Sequence, residues 1–214
     1  MDAGNVPVLP GHRRTIMKQK YLLASLLGLA ALAPVAAQAD DTTPWMVRVR
    51  AVNIDSVNKD STGLDLSVND KVIPEVDISY FFTPNIAAEL ILTYPQKHDV
   101  RSAGAKIGSL KHLPPTLTLQ YHFTDLGAFK PYVGAGVNYT RFSSVDLPAG
   151  VSIDKDSYGL ALQAGVDYEL TKNVYLNFDV KKVQIRTDVK AGGTKLGTLK
   201  VDPLLVGVGV GMRF

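Results

Sequence analysis

The sequence predicts an all-β protein, an eight-stranded antiparallel up-and-down transmembrane β-barrel. Apolar residues recur at every second position in eight segments, the face opposite them is glycine, polar or charged, and the connections alternate strictly between short and long. Period-two alternation is the mark of strands. A water-soluble sheet would turn its large side chains toward a packed core and show polar groups to water. The carboxyl-terminal string LLVGVGVGMRF does otherwise. Leu204, Val206, Val208, Val210, Met212 and Phe214 share one face, and Leu205, three glycines and Arg213 share the other. That apolar face calls for lipid as its solvent, and strands in lipid must close into a barrel so that every backbone donor is paired.

The amino terminus is read first, because it distorts the totals. Lys18 and Lys20 precede the apolar stretch 21–35, and Ala37-Gln38-Ala39 then offers a small-x-small cleavage site before Asp40. This has the form of a bacterial secretory signal. The stretch falls short of the roughly 20 apolar residues a spanning helix needs, and Pro34 interrupts it. Residues 1–16 precede a second methionine, Met17, so 1–39 is assigned as an upstream extension plus cleaved signal and 40–214 as the barrel domain. The whole chain has 23 Lys and Arg against 20 Asp and Glu, with a sequence pI near 9.0. Four of the basic and one of the acidic residues lie in 1–39, which leaves nineteen of each in the remaining 175 residues. The basicity belongs to the export signal, and no nucleic-acid partner is expected. The absence of cysteine rules out disulfides, thiolate metal sites and a lipidated cysteine.

The strands follow in order. Trp45, Val47, Val49 and Ala51 alternate with Met46, Arg48 and Arg50; Val76, Ile78, Tyr80 and Phe82 alternate with Glu75, Asp77 and Ser79. Ile86, Ala88, Leu90, Leu92 and Tyr94 alternate with Ala87, Glu89, Ile91 and Thr93, and Leu117, Leu119, Tyr121 and Phe123 with Thr116, Thr118, Gln120 and His122. In the second half Val133, Ala135, Val137 and Tyr139 oppose Gly134, Gly136, Asn138 and Thr140, while Tyr158, Leu160, Leu162, Ala164, Val166 and Tyr168 oppose Gly159, Ala161, Gln163, Gly165 and Asp167. Val174, Leu176, Phe178 and Val180 oppose Tyr175, Asn177, Asp179 and Lys181, and the terminal strand is the eighth. An even count brings both ends of the barrel chain to one side.

Residues 83–85, 124–128 and 171–173 read as tight turns; about 57–71, 96–113, 143–156 and 188–199 read as long loops rich in Gly, Ser, Asp, Asn and Lys. Outer-membrane barrels place short turns in the periplasm and long loops outside, which puts Asp40 and Phe214 on the periplasmic side of the bacterial outer membrane. Aromatics fall into two girdles, with Trp45, Tyr80, Phe82, Tyr121, Phe123, Tyr168 and Phe214 at the turn end and Tyr94, Tyr139 and Tyr158 at the loop end. The terminal Phe also suits recognition by the assembly machinery that inserts such barrels.

Eight strands enclose an interior barely wide enough for their own side chains, so a broad water-filled pore is not expected. Arg48, Arg50, Asp77, Glu89, Gln120, His122, Asp167 and Arg213 all point inward and are predicted to form a mixed, hydrogen-bonded plug, since buried charges persist only when paired. Gly207, Gly209 and Gly211 leave room for Arg48 and Arg50 to lie across the lumen. Nearer the loop end the inward and loop residues turn apolar. Ile54, Leu64, Leu66, Ile91 and Leu205 form a candidate pocket for small hydrophobic ligands. Pro74, Pro95, Pro114, Pro115 and Pro203 fall at the upper ends of strands, where each removes a ladder donor, and mark a candidate lateral opening toward outer-membrane lipid.

The strings KHLPPTLTLQYHF at 111–123, PYVGAGVNYT at 131–140 and DPLLVGVGVGMRF at 202–214, together with Trp45 and its following arginines, resemble the OmpW family of outer-membrane proteins across essentially the whole of 40–214. The resemblance implies an eight-stranded barrel with a narrow hydrophobic channel that passes small hydrophobic molecules, with release sideways into the membrane. The alternative is a structural or receptor barrel acting through its loops without transport. No enzymatic activity, metal site or cofactor is expected. Gly207, Gly209 and Gly211 lie inside a strand rather than at a strand-to-helix phosphate turn. His98 and His112, with Ser102, Ser109 and Asp99 nearby in sequence, have no spacing that fixes a nucleophile with its base or a set of metal ligands.

Overall fold

A computed structural model describes residues 43–214; the signal-like segment and the extension before it lie outside the described residues. Among the described residues there is no helix. The strands are β1 (Trp45–Asp55), β2 (Lys59–Asp60), β3 (Leu66–Val68), β4 (Lys71–Phe81), β5 (Ile86–Leu92), β6 (Gln96–Ser102), β7 (Ala105–Leu113), β8 (Thr116–His122), β9 (Phe129–Asp146), β10 (Val151–Ile153), β11 (Asp156–Thr171), β12 (Val174–Val183), β13 (Arg186–Ala191), β14 (Thr194–Lys200) and β15 (Leu204–Arg213).

Eight of them, β1, β4, β5, β8, β9, β11, β12 and β15, form the wall, each antiparallel to the next, and β15 closes on β1 from Met46 opposite Arg213 to Asp55 opposite Leu204. All eight predicted strands are therefore present. Closure at this seam depends on glycine. A Cβ at Gly209 would stand 2.1 Å from the Val49 carbonyl oxygen, and one at Gly211 would stand 3.0 Å from Cγ of Arg48. The short connections are as read, and Asn173 takes the left-handed conformation (φ 70°) that lets β11 turn into β12.

Side-chain exposure runs opposite to that of a soluble barrel. On β8, Leu119 is 59% exposed and Leu117 51%, whereas the intervening Thr118 and Gln120 are each 1% exposed. Apolar groups face out and polar groups face in, as lipid solvation requires. Ring pairs mark both rims: Trp45 on Tyr80 at 4.9 Å and Phe129 on Tyr168 at 4.7 Å at the turn end, and Tyr139 on Tyr158 at 5.1 Å at the loop end.

The long connections differ from their reading as loops. Strands β2, β3, β6, β7, β10, β13 and β14 lie within or overlap them. Strand β9 runs for 18 residues and β11 for 16, beyond the roughly 9–11 that cross a bilayer. The hairpin β6–β7 leans on the upper part of β9, β3 lies against β6, and β10, β13, β14 and β2 form a second sheet. Their inner faces mix His, Gln and Ser with Val and Leu, so apolar alternation is faint. The pairs β6–β7 and β13–β14 are local hairpins, whereas β3 on β6, β10 on β13 and β2 on β14 join segments distant in the chain. Leu66, Val68, Val100, Leu110, Phe142, Val189, Leu199 and Val201 pack with Val52, Ile54, Ile73 and Leu205 as an apolar cap above the lumen.

Candidate functional site

The site is built in two storeys. Because side chains alternate along a strand, β1 sends Met46, Arg48, Arg50, Val52 and Ile54 inward in sequence from turn end to loop end, and these set the chemistry at each height. Arg48 is fully buried. Its guanidinium grips Asp167 through Nε (3.1 Å) and Nη2 (2.6 Å), while Nη1 reaches Glu89 at 2.6 Å and the Ser79 hydroxyl at 2.7 Å. Arg50 bonds Asn177 Oδ1 at 2.6 Å through Nε and lies 2.7 Å from Asp77 and 3.3 Å from Glu75. Asp77 is held by charge alone, since neither of its oxygens has an aligned donor. Lys181 completes the upper layer, with Nζ 2.5 Å from Glu75 and 3.1 Å from Asp179.

Neutral groups fill the remaining donor and acceptor positions. Gln163 donates to Glu89 (2.9 Å) and Asp179 (2.8 Å), Tyr132 donates to Asp179 (2.7 Å), and Gln120 donates to Gln163 (3.0 Å). His122 bonds Gln120 at 3.0 Å and stacks on Tyr132. Tyr132 has its place because Gly165 lacks a side chain: a Cβ there would lie 2.4 Å from the phenol oxygen. Seven of the eight predicted plug residues thus meet in one network. Arg213 does not join it. As the last residue of β15 it sits at the rim, where its guanidinium lies over Phe81 at 4.2 Å and donates to the Thr43 carbonyl. The network also holds Glu75, Ser79, Tyr132, Gln163, Asn177, Asp179 and Lys181, which the sequence reading left out of the plug. Apart from Tyr132, their inward positions were visible in the alternation, and their convergence was not.

Above the plug lies a narrow cavity, partly open to solvent. Its walls are Ile54, Ile73, Ile91, Val183, Ile185, Val201 and Leu205 with Pro114 and Pro203, and Glu75, Lys181, Thr93, Thr116 and His112 supply its polar groups. Ile54, Ile91 and Leu205 are where the sequence placed them. Leu66 is buried in the cap rather than lining the cavity. Leu64 is 42% exposed and is corrected out of the pocket. Its backbone is tied on both sides, N–H to Thr62 Oγ1 and carbonyl to the Ser102 hydroxyl, and Asp65 at φ 49° turns the chain so that the side chain points away.

At the height of the cavity the wall is interrupted. The β5–β8 ladder ends at Ile91 opposite Thr116 and resumes only in β6–β7 at Gln96 opposite His112. Strand β4 pairs with β5 no higher than Val76; above that point the Thr93 hydroxyl bridges to the Pro74 carbonyl, and the next links lie higher, where Lys71 Nζ reaches the Lys97 carbonyl and Asn69 bonds His98 and Asp99. Pro74, Pro95, Pro114 and Pro115 border this break. The far side of β8 stays closed, since Tyr139 N–H donates to the Pro115 carbonyl. Pro203 does not belong to the opening. Its carbonyl accepts from Val183 N–H at 3.2 Å, the ladder continues around it, and its ring is buried in the cavity wall.

Outer-membrane β-barrels are also what the comparisons with known proteins return. The model of the OmpW family matches residues 42–214. This chain belongs to the OmpW family. An uncharacterized outer-membrane protein, y4mB, of Sinorhizobium fredii is 50% identical over 184 residues, 80% of each chain. Outer membrane protein W of Vibrio cholerae is 34% identical over 91% of this chain and 100% of its own. The crystal structure of OprG from Pseudomonas aeruginosa superposes with a TM-score of 0.71 at 29% identity, covering 83% of this chain and 98% of that one. The protein is an outer-membrane β-barrel.

In this OmpW-family barrel the two upper histidines come together outside the membrane-spanning segments, beyond the Tyr139 girdle. His98 on β6 and His112 on β7 stack at 4.6 Å and 18°, and the edge of His112 approaches Phe142 at 6.3 Å. Burial lowers the pKa of His98; burial, then the charges of His98 and Lys71, push His112 down to about 3. Both rings are therefore neutral near pH 7. Asp99 pairs outward with Lys106 at 2.7 Å, and the Ser102 hydroxyl is committed to Leu64. Among the described residues no group of three or more His, Cys, Asp and Glu is arranged to hold a metal ion.

Proposed function

We propose that this outer-membrane barrel admits small hydrophobic molecules at its loop end, holds them in the apolar cavity, and releases them sideways into the outer leaflet through the break bordered by Pro74, Pro95 and Pro114. The observation that carries this reading is the stacking of the cavity directly on the plug. A molecule in the cavity meets an ionic floor at Lys181 and Glu75, and moving down from the apolar walls into that floor would cost an apolar solute its contacts and break paired charges. The neighbouring route crosses a wall that lacks backbone pairing and has lipid on its far side. In this reading the loop end faces the exterior and the short turns and barrel termini face the periplasm, the usual arrangement of such barrels.

The test compares uptake of N-phenyl-1-naphthylamine by cells lacking the protein and cells carrying it. The protein-bearing cells should fill several-fold faster. Replacing Pro95 and Pro114 together by valine, which restores backbone donors at the break, should bring the rate back toward that of the deletion while folded barrel remains in the membrane. Equal rates with and without the protein would overturn the transport reading. A faster rate unaffected by the valines would overturn the lateral route alone.

A further inference from the structure

We infer that the cavity is selective for hydrophobic molecules carrying a hydroxyl group, alcohols or phenols, with His112 and the acceptors beside it forming the seat for that hydroxyl. This rests on the transport reading for its physiological meaning, but the seat itself is a property of the structure.

Unused hydrogen-bonding capacity gathers around His112, which lines the cavity, with His98 and Gln96 packed behind it rather than on the lining. His112 lines the cavity, and its ring contacts are a stack on His98 and an edge toward Phe142. A neutral imidazole offers one donor and one acceptor. Behind it, His98 Nδ1 lies 2.9 Å from the Asn69 carbonyl, which can only accept, so Nδ1 carries the hydrogen and Nε2 keeps a lone pair. That Nε2 is buried and has no hydrogen-bond partner among the described residues. Gln96, directly across the ladder from His112, donates its amide to the Tyr94 carbonyl and leaves Oε1 buried and likewise unpartnered. Buried acceptors without donors cost free energy, and a ligand that supplies an O–H recovers it.

The chemistry of the visitor is narrowed further by what the cavity lacks. An ion of either sign would leave water for an apolar wall without a free counter-charge, because Lys181 is already held by Glu75 and Asp179. Three cations, Arg48, Arg50 and Lys181, stand in the plug against five carboxylates, Glu75, Asp77, Glu89, Asp167 and Asp179, so an anionic head is opposed as well. A pure hydrocarbon leaves the acceptors unmet. A ketone or ether can accept from the His112 ring but has no hydrogen for the acceptors. A hydroxyl is neutral and both donates and accepts through one small atom, which an amine or amide N–H does less compactly.

The experiment uses the purified full-length barrel in detergent micelles with selectively labelled histidine. Addition of 1-naphthol should shift the His112 ring nitrogens, whereas naphthalene and 1-methoxynaphthalene at matched concentration should not. In competition against N-phenyl-1-naphthylamine, 1-naphthol should outcompete naphthalene by about 2–10-fold, the range one neutral hydrogen bond supports. In His112→Phe, which keeps a ring in the stack, that ratio should fall to about one. His112→Asn, which keeps a donor and an acceptor, should retain part of the preference. An unshifted His112 with 1-naphthol, or an undiminished ratio in His112→Phe, would overturn the seat. Because both readouts are binding measurements, they stand whether or not cells show uptake, and a failure of transport is distinguishable from a failure of selectivity.

Discussion

Arg48 shows how much depends on single side chains in a lumen this narrow. With no exposure and four hydrogen bonds to Asp167, Glu89 and Ser79, it is the counter-charge for two buried carboxylates. Removing one member of such a set leaves the others charged and unpaired, whereas neutralising the whole set costs much less. Arg48→Met is expected to lower barrel stability by about 3–5 kcal/mol. Adding Glu89→Gln and Asp167→Asn to it should recover most of that loss. Urea midpoints for reversible unfolding in lipid vesicles check both statements, and a triple variant no more stable than the single one would contradict them. The inward direction of Arg48 was legible from its place between Val47 and Val49. Its partners were not, because Asp167 is 119 positions away and only closure of the barrel brings it across the lumen. Arg213 shows the complementary error, for alternation gives a direction and not a height, and at the rim it meets Phe81 and the Thr43 carbonyl instead of the plug.

Among the elements, the β6–β7 hairpin carries most of what was not foreseen. Residues 96–113 read as a polar loop, yet Gln96, His98 and Val100 turn inward in alternation with Lys97, Asp99 and Arg101, and the hairpin covers the cavity from the side. Its packing keeps two stacked imidazoles neutral. The side chains on which their charge bears are Lys71, Asp70 and Asp99 for His98, and His98 and Lys71 for His112. A base whose pKa is about 3 when packed and about 6.5 when free binds fewer protons packed than free throughout that interval. The packed hairpin is therefore fully favoured above about pH 6.5 and loses ground steadily as the pH falls toward 3. Amide exchange in β6 and β7, normalised to that in β12, should rise between pH 6.5 and 4, and much less so in His112→Phe. Equal profiles for the two proteins would count against the histidines as the cause.

For the whole molecule, the decisive property is the inversion of its solvent. The chain has one tryptophan, Trp45, which is 45% exposed at the turn-end girdle and rests on Tyr80. In vesicles its fluorescence should be quenched strongly by lipids brominated near the headgroup and less by lipids brominated at the chain ends, because amphipathic rings sit at the interface. Strong quenching by aqueous acrylamide with none from brominated lipid would mean that this face is in water. The barrel as a whole was legible because lipid imposes one rule on every wall strand at once, apolar outward, and eight repetitions of a period of two are hard to mistake.

The sequence by itself determined the eight wall strands, their inward and outward faces, the short turns, and the placing of charge low and apolar groups high in the lumen. These are local properties, set by alternation and by turn residues, and they survive without knowledge of any partner. Tertiary structure decided which charges pair, that Leu64 leaves the pocket while Ile73, Val183 and Val201 enter it, that Pro203 seals rather than opens, and that His98 and His112 meet. Each of those depends on residues from different strands arriving at the same height. In a closed barrel that height is fixed by the register of strands distant in sequence, which no single segment encodes.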